Sequence, residues 1–229
     1  MTNNKHNVKK IWLPLIFATA IHSGAVMAED FPMPPLNSLP QAAAVEQGKA
    51  SVDFIVQDLQ RRFPGYSTER VLLVDGIKQK MELIENGQVS HTWVISVAQK
   101  GLGSLKGSEQ TPTGVHRIAQ KIGAGAERGT IFKARQNTGR IAEILTGADE
   151  RSTGDNVTTR ILWLAGMEPN VNKGGNVDSY ERYIYIHGTD EEGRLGQGAS
   201  HGCIRMKNQD VIDLFDLVSE DTLVVITPN

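Results

Sequence analysis

The sequence predicts a mostly β fold with some α, and two observations decide it. From Arg70 onward apolar residues recur at every second position, in "RVLLVD", "KQKMELIENGQVSHTWVISVA", "TGVHRIAQK", "TRILWLAG", "ERYIYIHG" and "DTLVVIT". That alternation is the mark of strands with one buried face. Helical three-and-four spacing stands out in only two stretches, one before the strands and one near the C-terminus. Strands joined by turns, with little helix between them, argue a mostly antiparallel β domain with one or two helices packed at its edge.

The elements follow in chain order. The chain has 229 residues, enough for one main domain with a small appendage. Residues 1–28 read as a signal peptide. Lys5, Lys9 and Lys10 form a positive start, "IWLPLIFATAI" is an apolar run too short to span a bilayer, and Val26 and Ala28 precede a cleavage point before Glu29. The mature protein is therefore expected in the periplasm, with no stable membrane insertion after cleavage. A formal net charge of −2 gives no electrostatic reason to expect a nucleic-acid partner.

Residues 29–67 hold a Pro-rich spacer (Pro32, Pro34, Pro35, Pro40) and a helical segment. Val52, Ile55, Val56, Leu59 and Phe63 make one apolar stripe over 42–63, ended by Pro64 and Gly65. The remaining span, 68–229, is expected to be one domain. Within it "ENGQ", Glu85 to Gln88, is an Asn-Gly hairpin turn between alternating runs. The region 120–160 is rich in glycine and charge with poor periodicity, so loops or a short helical insertion are expected there. "NQDVIDLFDLVSE" reads as a helix capped by Asn208 with Val211, Ile212, Leu214, Phe215 and Val218 on its apolar face.

The chemistry concentrates in "YIYIHGTDEEGRLGQGASHGCIRM", which holds the only cysteine of the chain, Cys203. Exported proteins use cysteines in pairs, so an unpaired thiol is buried or used. In "RYIYIH", Tyr183, Tyr185 and His187 point to one face and Ile184 and Ile186 to the other. His187 thus ends a strand on the more polar face, where a site can open to substrate. Gly202 lets a substrate approach the backbone, and the amides of Gly202 and Cys203 can serve as oxyanion donors. A neighbouring imidazole can take the thiol proton, and the carbonyl of Gly188 can orient that imidazole through its other nitrogen. Arg205 suits a bidentate grip on a substrate carboxylate. If His187 must be neutral to act as base, activity falls as pH drops through the imidazole range, near 6.5, or lower if the pair rests as thiolate and imidazolium. Two other readings remain open: a buried structural cysteine, and a zinc site from His187, His201 and Cys203.

"IHGT" followed by "SHGCIRM" resembles the signature of the YkuD-type L,D-transpeptidases, peptidoglycan enzymes with a catalytic cysteine. The matching residues are His187, Ser200, His201, Gly202, Cys203, Ile204 and Arg205, with "TPTG", Thr111 to Gly114, as a second matching piece upstream. The similarity covers roughly 68–229. The twelve residues between His187 and Ser200 make a somewhat short spacer, so the loop lining the site is expected to differ. No separate cell-wall-binding module is expected before the catalytic region.

The resemblance implies a β-sandwich-like mixed sheet and a role for each matching residue. Cys203 is the nucleophile and His187 the general base held by Gly188. His201 and Ser200 shape and polarise the site, amides near Gly202 and Cys203 hold the oxyanion, and Arg205, with Tyr185 beside it, receives the substrate. The implied substrates are peptidoglycan stem peptides, attacked at the meso-diaminopimelate carbonyl of a tetrapeptide with loss of D-Ala. The acceptor is an amine of a neighbouring stem, giving a 3→3 cross-link, or a lysine of an outer-membrane lipoprotein. No metal or organic cofactor is implied, and the thiol is expected to be acylated by carbapenems. Two competing functions share these residues: an L,D-carboxypeptidase, in which water resolves the thioester, and a non-catalytic peptidoglycan-binding envelope protein.

Overall fold

The computed structural model describes residues 41–227, with side chains from residue 48. The signal peptide and most of the Pro-rich spacer lie outside the described residues. Helix α1, Gln41–Arg62, comes first, followed by strands β1 (Arg70–Asp75), β2 (Lys80–Glu85), β3 (Gln88–Val94) and β4 (Gly114–Ile122). A hairpin of β5 (Thr130–Lys133) and β6 (Gln136–Ile141) leads to the long β7 (Val157–Gly166). Strands β8 (Tyr185–Thr189) and β9 (Ile204–Met206), helix α2 (Asn208–Leu217) and strand β10 (Leu223–Thr227) complete the fold.

All ten strands belong to one mixed sheet with the order β3-β2-β1-β10-β4-β7-β5-β6, and β8 pairs with β7 and β9. The pairs β1–β10 and β8–β9 are parallel; the others are antiparallel. Beyond β3 the chain continues to Ser96, which exchanges backbone hydrogen bonds with Arg205 (2.9 and 2.8 Å). The path from β3 through β7 and β8 to β9 therefore returns on itself. The enclosed core holds Leu72, Leu83, Ile95, Ile118, Leu162, Ile186, Ile204 and Met206, with Val211, Leu214 and Phe215 of α2 packed against it. Burial of side chains of this size is the main favourable term in folding such a domain.

The local chemistry explains most elements. Asn86 and Gly87 both take positive φ (51° and 76°), as the two-residue turn between right-twisted strands requires. On α1, Val52 and Leu59 are buried with Val71, Ile84, Val115 and Leu223, so the helix packs on the sheet through one stripe.

Three expectations are corrected. The region 120–160 holds the expected loops at 123–129 and 142–156 but no helical insertion: between them lies the unexpected β5–β6 hairpin, and its ends belong to β4 and β7. Its exposed second strand carries no alternating pattern, with all six residues of β6 open to solvent. Asn208 does not cap α2 with its side chain. It is buried, accepting from the hydroxyls of Thr158 (2.7 Å) and Thr159 and donating to Glu192 and the Thr189 carbonyl (2.7 Å each). The carboxylate of Glu192 instead takes the Asn208 N–H (2.8 Å) and covers the helix start. Finally, Tyr183 precedes β8 in a turn with φ 58°, so the side-chain alternation begins at Ile184.

Candidate active site

The parallel register of β8 and β9 builds the site. Ile186 pairs with Ile204, His187 with Arg205, and Gly188 with Met206. Ile186, Ile204 and Met206 are fully buried in the core. Side chains alternate, so Cys203 and Arg205 fall on the same face as Tyr185 and His187. Cys203 lies opposite Tyr185, one diagonal step from His187, with about 8 Å between Cα atoms for such a step. Both side chains stand over this face.

Cys203 is half-buried. Its sulfur lies 3.4 Å from the Tyr185 backbone N–H, which donates to it, and 3.4 Å from the Tyr183 carbonyl, which accepts from the thiol. Burial pushes the thiol up to about 11, with Asp155 raising it further; the Tyr185 N–H and the charges of Arg205 and Arg182 pull the other way. The sulfur therefore rests as a neutral thiol at neutral pH.

His187 is 2% exposed and its Nδ1 lies 2.7 Å from the Gly188 carbonyl. A carbonyl only accepts, so Nδ1 carries the proton and Nε2 presents a lone pair. Burial lowers this imidazole to about 4, against the Gly188 hydrogen bond, and Arg205 lowers it further. The acid limit of a His187-dependent step thus sits well below 6.5. Gly188 itself has no room for a side chain: a Cβ there would meet Asn208 Oδ1 at 2.6 Å and the Thr158 carbonyl at 2.9 Å. The face carrying Tyr185 and His187 is accordingly less open than the alternation pattern suggests, since both residues are buried.

The turn before the cysteine is pinned from two sides. Gly202 has φ 134°, a conformation that favours glycine. Its carbonyl accepts from Thr111 Oγ1 (2.9 Å), which in turn accepts from the Ala98 N–H (2.9 Å). In a planar trans peptide the N–H points opposite to the carbonyl, so the Cys203 N–H faces away from Thr111. That amide meets no acceptor among the described residues. The Gly202 N–H is engaged differently from expectation: it donates to Ser200 Oγ (3.2 Å), while Ser200 Oγ donates to the Cys203 carbonyl (2.5 Å). Only the Cys203 amide is left as an oxyanion donor at this turn.

Arg205 does not present itself to a substrate. It is 2% exposed, with Nη1 donating to Glu191 (2.9 Å) and Nη2 to Asp155. Two carboxylates therefore fill the grip expected for a ligand, and the residue acts as a buried counter-charge near the thiol. Asp155 also accepts from, or pairs with, His201 Nδ1 (2.6 Å), whose side chain is 64% exposed. His187 and His201 are thus held by different partners, and among the described residues no three His, Cys, Asp or Glu side chains converge as metal ligands.

Tyr185 packs edge-on against Trp163 (5.6 Å between centroids), which stacks on Tyr180 (4.0 Å). Its hydroxyl receives a hydrogen bond from Arg135 (3.2 Å). Sequence reasoning passed over Thr111 as a positioning group, and also Asp155, Glu191, Arg135 and Arg182. Thr111 had a signal, its place in "TPTG"; Asp155 and Arg135 sit in the stretch whose periodicity gave none.

A thiol, a tautomer-fixed imidazole and a backbone amide without an acceptor therefore share one sheet face, the kinds of group that acyl transfer through a cysteine would need. Residues 69–226 match the L,D-transpeptidase catalytic domain family named YkuD, and the chain belongs to that family. The YkuD proteins of Bacillus licheniformis and Bacillus subtilis are 40% identical to it over 62 and 60 residues, 25% and 24% of this chain and 38% and 37% of theirs. The matched stretch thus spans less than two fifths of these curated relatives. Among solved structures it is similar to an L,D-transpeptidase from Mycobacterium smegmatis (19% identity, TM-score 0.41, covering 69% of this chain and 58% of the other). It is also similar to L,D-transpeptidase 3 from Mycobacterium tuberculosis in complex with a faropenem-derived adduct (15% identity, TM-score 0.43, 69% and 60% covered).

Proposed function

We propose that this chain is an exported, periplasmic peptidoglycan L,D-transpeptidase in which Cys203 forms a thioester with a tetrapeptide stem. Residues 1–28 direct export, the spacer and helical segment of 29–67 lead to the fold, and 68–229 carry the chemistry. The observation that carries the reading is the His187–Gly188 contact beside Cys203. It leaves a basic nitrogen on the same sheet face as the sulfur in a chain of the L,D-transpeptidase family.

With the thiol near 11 and the imidazole near 4, the resting pair is uncharged. The proton moves as substrate is attacked. His187 Nε2 takes it while Sγ bonds to the carbonyl carbon at the L-centre of meso-diaminopimelate. The Cys203 N–H holds the oxyanion. Collapse breaks the C–N bond, and His187 returns the proton to the departing D-Ala amine. An acceptor amine then attacks the thioester and gives a proton to His187, which restores the thiol. A stem amine as acceptor yields a 3→3 cross-link; a lysine of an outer-membrane lipoprotein yields attachment. Arg182 and Arg205 favour negative charge on the sulfur, so they lower the cost of the step.

The test is incubation of the protein with purified disaccharide-tetrapeptide and mass analysis of the products. D-Ala release with cross-linked dimers is the expected result. Tripeptide alone identifies an L,D-carboxypeptidase. No turnover, with stem peptide still bound, identifies a non-catalytic peptidoglycan-binding protein.

A further inference from the structure

We propose that Arg135, at the tip of the β5–β6 hairpin, receives the free carboxylate of the departing D-residue of the donor stem. The inference rests on the transpeptidase reading and adds the group that recognises the donor end. Three arginines surround the sulfur's neighbours, and two are committed. Arg205 is held by Glu191 and Asp155. Arg182 donates to the carbonyls of Gly103, Ser104 and Gln110 (3.4, 2.9 and 2.6 Å). Arg135 has one hydrogen bond, to the Tyr185 hydroxyl, and no carboxylate within ion-pair distance among the described residues.

Its placement is specific. Lys133 pairs with Gln136, so Ala134 and Arg135 form a two-residue turn, and both have positive φ (48° and 67°). Neither is glycine, so the turn holds a conformation that costs non-glycine residues energy. It sets the guanidinium 4.6 Å from the centroid of Trp163 and 5.1 Å from that of Tyr183. Stacking on aromatic faces fixes the plane of a guanidinium and leaves its N–H edge free for a bidentate acceptor. Of the three residues that this arginine touches, Trp163, Tyr183 and Tyr185, the two tyrosines are those whose backbones touch the cysteine sulfur. The arginine and the sulfur thus border the same two tyrosines, one at their side chains and the other at their backbones, within reach of one extended substrate. In the proposed donor, the terminal carboxylate is two bonds from the scissile nitrogen.

The test compares a donor tetrapeptide with a free C-terminus against its C-terminal amide. The wild-type protein is expected to prefer the free acid. Arg135→Ala should lose about 10- to 100-fold in kcat/KM on the acid, mainly through KM, and less than about twofold on the amide. Arg135→Gln, which keeps a polar side chain at the turn but carries no charge, should give the same selective loss and serves if the alanine variant folds poorly. The rate of Cys203 alkylation by iodoacetamide should stay unchanged in both. Equal losses on acid and amide would make Arg135 a brace for the aromatic cluster and overturn the assignment, as would no loss on either. A wild-type protein inert toward both peptides would overturn the transpeptidase reading itself.

Discussion

Replacing Thr111 with valine separates stability from oxyanion positioning. The residue is fully buried, and its hydroxyl links the Ala98 N–H to the Gly202 carbonyl, each at 2.9 Å. Valine keeps the shape and strands both partners, at about 1–3 kcal/mol for each buried group left unpaired. The expected loss is about 2–6 kcal/mol, a drop of roughly 4–24 °C in Tm for a domain of this size. The second consequence is chemical. The Gly202 carbonyl and the Cys203 N–H belong to one peptide plane, so releasing the carbonyl lets the amide swing from its aim. Full loss of an oxyanion donor costs about 10²–10³ in rate, and a mis-aimed one should cost roughly 10- to 100-fold. Thermal unfolding reads the first effect, and the single-turnover rate of acylation by tetrapeptide reads the second. Thr111→Ser, which keeps the hydroxyl, should recover most of both. Acylation within twofold of wild type in a destabilised Thr111→Val protein would refute the assignment of the Cys203 amide as oxyanion donor.

Three further outcomes are expected. His187 must be neutral to accept the thiol proton and its imidazole is lowered to about 4, so kcat/KM should hold from pH 8 to about 5.5 and fall as pH drops through about 4; an acid limb near 6.5 would contradict the buried neutral imidazole. Asp155→Asn removes a charge that raises the Cys203 thiol, so that thiol's pKa should fall and alkylation by iodoacetamide at pH 9 should be faster than in the wild-type protein; an unchanged or slower rate would contradict the assignment. Asn208→Ala leaves two threonine hydroxyls and the Thr189 carbonyl short of a partner, while Glu192 keeps the residue-208 N–H, so denaturant unfolding should show a loss of at least about 3 kcal/mol.

Much of the fold was legible because alternation and turn chemistry are local signals. The strands of "RVLLVD", "TGVHRIAQK", "TRILWLAG" and "DTLVVIT" and the Asn86-Gly87 turn needed only neighbouring residues to declare them. Helix α2 declared itself through its apolar stripe, but Asn208 misled, because a buried side-chain network and a cap use the same amide. The β5–β6 hairpin was not legible: its second strand is exposed on every residue, and its turn uses Ala134 and Arg135 where glycine or asparagine would have signalled it. At the site, the motif located Cys203, His187 and Gly188 on the strands that meet. It could not reveal that Arg205 is satisfied, because its partners Asp155 and Glu191 come from loops 50 and 14 residues away. Charge pairing across such distances is a product of topology, and the β8–β9 parallel contact that creates it has no sequence signature of its own.

The most direct measurement is the intact mass of the protein after exposure to a carbapenem, with peptide mapping of the adduct. A single acyl adduct on Cys203, abolished by Cys203→Ala and slowed by His187→Ala, is the predicted result. An unmodified protein, or an adduct on any other residue, would contradict the central claim that this one sulfur performs acyl transfer.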